Sequence, residues 1–131
     1  MKHNTMLTVA SLLSILFLTL HITDDIVRGI SKAESSNTAL IFLVVFLYGR
    51  LVLPERRSGH VIMLLIGLFA AAMPVMHMRG AHYGEIAKST GGFFFVWTLW
   101  ALGALGGFTF ILSVRGLWSL RRGKAIDGAA R

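Results

Sequence analysis

The chain has 131 residues, of which 55% are apolar, 15% are charged and none is cysteine. About a quarter of a soluble domain is charged, so this mix, with a mean hydropathy of +0.70, is too apolar for one small water-soluble core and reads as a membrane protein. The formal charge of +7 is read as a mark of orientation and not of nucleic-acid binding, while the lack of cysteine excludes thiol exchange, thiolate zinc sites, iron–sulfur clusters and disulfide staples.

A hydrocarbon core about 30 Å thick needs roughly 20 residues of helix, and four apolar stretches of that order stand between short polar breaks. They cover about 6–30, 36–53, 60–78 and 91–117, followed by a basic tail at 118–131. The expectation is an all-α, integral membrane four-helix bundle with antiparallel neighbours, forming one membrane domain over 1–131. The runs lack period-2 alternation and are too long for strands, which argues against a β-barrel.

The first stretch begins like a signal peptide, with Lys2 before an apolar run, but no small-x-small cleavage pattern closes it, so it is expected to be retained as a span. Ser11, Ser14, Leu18, His21, Asp25 and Arg28 recur at spacings of three and four and so line one stripe, which should face protein. Asp24 lies three residues after His21 and four before Arg28, within reach of either.

In the second stretch Arg50 stands about one turn before Pro54, where its long side chain is expected to snorkel toward headgroups, an anion or lipid contact being the other reading. The third stretch has its own stripe of His60, Met63, Gly67, Ala70, Pro74 and His77. At a rise of about 1.5 Å per residue, His21 and His77 come to the same depth, a few ångströms inside the outer boundary. Pro74 should kink this helix, and His60, at the opposite end, is read as interfacial.

Around His77, the residues Met76, Met78 and His82 add soft or borderline metal ligands. His21, Asp25 and His77, with those three, therefore form a candidate metal set, for which copper suits the ligand types and two facing histidines also suit haem. The structural alternative is an Asp24, Asp25 and Arg28 ion-pair cluster anchoring the end of the first helix. Ser89, Thr90 and Gly91 read as the capped start of the fourth helix. In that helix Gly103 and Gly107 form a small-xxx-small pair matching Gly67 and Ala71 in the third, which predicts close contact of these helices or a homodimer.

Nine of the 13 Lys and Arg residues lie at the N-terminus, the second connection and the tail, against four in the other two connections. Basic flanks stay cytoplasmic, so both termini are expected inside a bacterial-type inner membrane. Size and span number resemble the small multidrug transporters, but Asp24 and Asp25 lie at the end of the first span and not its middle, so no residue role carries over. Three functions compete: a structural or accessory component with an outward His/Asp/Arg cluster, a metal- or haem-binding redox or metal-handling protein, and a small proton-coupled transporter. Expected partners are the bilayer and a homo-oligomer or larger membrane complex. No nucleophile, base and orienter assemble into a hydrolase.

Overall fold

The computed structural model describes residues 3–31, 38–80 and 82–129, and these are helical with no strand among them. The helices are α1 (His3–Val27), α2 (Thr38–Leu51), α3 (Arg57–Met78), α4 (Tyr83–Lys88) and α5 (Gly92–Ala129). The first connection lies mostly outside the described residues, as do Lys2 and Arg131.

Three helices, α1, α3 and α5, are long and apolar enough to cross a membrane. The second expected span is shorter than the sequence suggested: α2 has 14 residues, about 21 Å of helix, because the chain turns at 52–56 ahead of α3. The expected loop at 79–90 contains the short α4, and α5 continues beyond the expected end at 117.

The end of α1 is set by Gly29, whose φ of 72° takes the chain into the left-handed region. Ile30 N donates to Asp25 O at 2.9 Å and Gly29 N to Ile26 O at 3.0 Å, the paired closure of a Schellman motif. This stop leaves Asp25 and Arg28 in the last turn, at the rim of the bundle.

The most extensive interface joins α3 to α5, followed by α1 with α5. Lipid tails are as apolar as leucine, so helix association relies on close van der Waals packing. A Cβ on Gly67 would lie 2.8 Å from Phe110 N, and one on Gly106 would lie 2.6 Å from Ala70 Cβ and 2.7 Å from Ala71 N. Gly103 receives Pro74, whose Cγ would stand 2.5 Å from a Cβ there. Gly107 meets nothing within 4 Å, so the contact runs through Gly103 and Gly106 rather than the expected Gly103 and Gly107. The α3 helix continues through Pro74 to Met78.

Apolar layers fill the interior: Leu7, Ala10 and Leu112 toward the start of α1, Phe46, Met63 and Ile66 where α2 meets α3, and Leu18, Ile22, Ala70 and Leu102 beneath the far rim. The buried hydroxyls of Ser11, Ser14 and Ser113 donate to the carbonyls four residues earlier, so the polar stripe is satisfied within its own helices. Leu16, Leu65, Phe93, Trp97 and Ile111 cover the outside, an apolar surface suited to lipid.

Candidate functional site

The two stripes expected from spacing do face the interior, and their histidines meet. Ser11, Ser14, Leu18 and His21 of α1 are buried, as are His60, Met63, Gly67, Ala70 and Pro74 of α3. His21 Nε2 lies 3.4 Å from His77 Nε2, and each of these nitrogens is 3.9 Å from Asp25 Oδ2. One ligand atom from each of the three residues lies within 4.8 Å of the others.

The hydrogen bonds around the rings place a hydrogen on each Nδ1. His77 Nδ1 is 3.0 Å from the Met73 carbonyl, which can only accept, so Nδ1 carries the hydrogen. Thr98 directs its hydroxyl at the carbonyls of Phe94 and Phe95, 2.9 and 3.1 Å away. Its oxygen is thereby left to accept from His21 Nδ1 at 3.4 Å. In the neutral rings both Nε2 atoms therefore present lone pairs to each other and to a carboxylate. Three acceptors converge with no donor among them, an arrangement that a shared cation would stabilise.

The surroundings make the site partly enclosed. His21 is fully buried, whereas the side chains of Asp25 and His77 keep 13% and 23% exposure. Phe95 packs against both rings, 5.1 Å from His21 and 6.0 Å from His77 between centroids. Asp25 Oδ1 is buried without a hydrogen-bond partner. A cavity of about 880 Å³ reaches His77 from the rim, lined also by Arg28, Met76, His82, Tyr83 and Phe95.

The two aspartates separate. Asp24 takes Arg28, with Nε 2.7 Å from Oδ2, while Asp25 turns to the histidines. Arg28 continues to Ser89 Oγ at 3.0 Å and the Thr90 carbonyl at 3.5 Å, stapling the end of α1 to the entry of α5. Ser89 donates its hydroxyl to Ile86 O at 2.7 Å, so it closes α4 and does not cap α5 as expected. The turn into α5 is made by Gly91 at a φ of 76°.

The remaining expected ligands are exposed. Met76 and Met78 are exposed, though Met76 lines the cavity. His82 is exposed and pairs with Glu85 Oε2 at 3.4 Å.

Two residues at the opposite end depart from their expected roles. Arg50 is buried and turns inward, bonding Thr8 Oγ1 at 2.6 Å and Asn4 O at 3.3 Å instead of reaching outward. His60 is buried too, near His3 across Gly116. Part of the signal for that pair was present in the sequence: His3 and His21 are 18 residues, five helical turns, apart, which puts both on one face of α1.

No family model matches the chain, and comparison with curated proteins and with solved structures returned no match.

Proposed function

We propose that this chain is a multi-pass membrane protein that holds a divalent transition-metal ion between His21, Asp25 and His77. The observation that carries the reading is the convergence of two lone-pair-bearing Nε2 atoms and one carboxylate oxygen at 3.4 to 3.9 Å. A tetrahedral ion with bonds of about 2.0 Å holds its ligand atoms about 3.3 Å apart, so small adjustments complete three of four positions. Two imidazoles with one carboxylate suit zinc, and copper next. The Nδ1 hydrogen bonds to Thr98 and Met73 hold each ring in the tautomer that a metal requires. The rim cavity beside His77 leaves the fourth position to water or an incoming ligand, as in a metal-handling protein.

Haem fits this geometry less well. Its axial histidines sit on opposite faces of a flat macrocycle, whereas these rings meet edge to face with centroids 5.0 Å apart and Phe95 against both. A proton shared by the same three acceptors is the second reading, and it makes the cluster the titrating centre of a small proton-coupled transporter. The excess of basic residues near the start of α1, around 50–57 and after α5 supports termini in the cytoplasm and the triad near the outer face of an inner membrane.

Metal analysis and calorimetric titration with zinc and with copper on detergent-purified protein test the proposal. One ion per chain is expected, with most binding lost in Asp25→Asn and in His77→Ala. A wild type that takes up neither metal stoichiometrically overturns the metal reading in favour of the proton.

A further inference from the structure

The two ends of the bundle differ in charge. At the triad end, over the described residues 24–31 and 79–92, Arg28, Arg79 and Lys88 stand against the carboxylates Asp24, Asp25 and Glu85. At the opposite end Arg56, Arg57, Arg115, Arg121 and Arg122 are all exposed, and over 50–60 and 112–122 the one carboxylate is Glu55. Even with Glu55 set against Arg115, which shares a cavity wall with it, four exposed guanidinium groups remain in excess. Arginine keeps its charge throughout the physiological range, so this excess depends on no titration. Lys124 and Asp127, further along the chain, offset each other.

Position along the helices sets the excess at headgroup level. An added Cβ on Gly116 of α5 would meet both His60 of α3 and His3 of α1, so these three residues share one level. Asp25 comes 22 positions after His3 on α1, which is about 33 Å of helix, close to the roughly 30 Å of a hydrocarbon core. Trp118 then lies about 3 Å beyond the His3 level, and Arg121 and Arg122 lie about 8 to 9 Å beyond it. Arg115, Trp118 and Arg122 recur at spacings of three and four, on one face of α5. Arg122 Cζ sits 4.5 Å from the centroid of the Trp118 ring. That ring is 58% exposed and is of the amphipathic kind that settles at a membrane interface. Arg56 and Arg57 stand at the start of α3, whose first turn has no acidic residue, so the positive end of the helix dipole adds to their charge.

We propose that this arginine-rich end docks on anionic phospholipid headgroups and gives the chain a preference for bilayers that contain them. Headgroup phosphates accept charge-assisted hydrogen bonds from the exposed guanidinium groups, while Trp118 holds the depth. The inference rests on the membrane part of the proposed function and not on the metal, since it shares no residue with the triad.

The test is tryptophan quenching in the full chain, with Trp97→Phe and Trp100→Phe leaving Trp118 as the reporter. The protein is reconstituted in phosphatidylcholine vesicles that contain brominated phosphatidylglycerol or brominated phosphatidylcholine, and the ratio of the two quenching efficiencies gives the lipid preference. Phosphatidylglycerol is expected to quench more strongly, with a preference that falls as salt is added. The preference is expected to fall about fivefold in Arg121→Gln and in Arg57→Gln, both of them exposed positions, and to be unchanged in Arg79→Gln at the balanced end. Equal quenching by the two lipids overturns the proposal, as do equal losses in Arg121→Gln and Arg79→Gln. Saturable binding of soluble polyglutamate without a lipid preference also overturns it, in favour of an acidic protein partner. A chain that alkaline washing strips from phosphatidylcholine vesicles overturns the membrane reading and this inference with it, whereas a chain retained there without a lipid preference overturns this inference alone.

Discussion

His21 and His77 come from different helices, 56 positions apart, yet their Nε2 atoms are 3.4 Å from each other while both Nδ1 hydrogens are committed elsewhere. Two facing lone pairs beside a carboxylate repel one another unless a positive charge joins them. The first three predictions follow from that relationship and from its supports.

Zinc should stabilise the fold through this site, because a ligand that binds only the native state adds about 2.7 kcal/mol at a hundred times its dissociation constant. The thermal midpoint in detergent is expected to rise with added zinc in the wild type and not in Asp25→Asn. His21→Ala and His77→Ala should each abolish most of the shift, and the double variant should lose little more, since ligands of one ion act as a unit. Lowering the pH should weaken zinc binding, because protons compete for the same Nε2 atoms. Equal zinc shifts in wild type and Asp25→Asn would place the ion elsewhere.

Thr98 should act on the metal through His21. Thr98→Val keeps the shape but removes the oxygen that accepts from Nδ1, and loss of such an outer partner costs roughly 10- to 100-fold in metal affinity. Competition with a chelator of known affinity measures the change. An unaltered affinity would mean that the Thr98 bond does not hold the ring.

Asp24 and Arg28 should matter to stability and not to the metal. Arg28 bonds Asp24, Ser89 and the Thr90 carbonyl, so Arg28→Ala is expected to cost about 1 to 2 kcal/mol, and Asp24→Asn less. Both variants should retain one zinc per chain. Loss of zinc in Asp24→Asn would show that the two aspartates exchange partners.

Packing between α3 and α5 gives the fourth prediction. Gly106→Leu should lower the thermal midpoint and broaden the elution profile, because its Cβ has no room against Ala70 and Ala71 and overpacking costs about 1 to 3 kcal/mol or more. Gly107→Leu, facing open space, should be mild. The reverse order of the two variants would mean that α5 is rotated relative to this packing.

Much of the site was legible in the chain because a helix rises and turns by constant amounts. Spacings of three and four revealed the two inward stripes, and the rise per residue brought His21 and His77 to one depth before any contact was known. Apolar run length likewise pointed to helices fit to cross a membrane, and three such helices form among the described residues. Periodicity describes directions within one helix, however, and leaves the rotation of one helix against another open. Only the tertiary packing decided that Gly106 and not Gly107 receives α3, that Asp25 turns to the histidines while Asp24 takes Arg28, and that Arg50 and His60 point into the bundle. Each of those outcomes depends on which atoms of a neighbouring helix fill the space beside a residue, a relation between distant parts of the chain that local spacing does not contain.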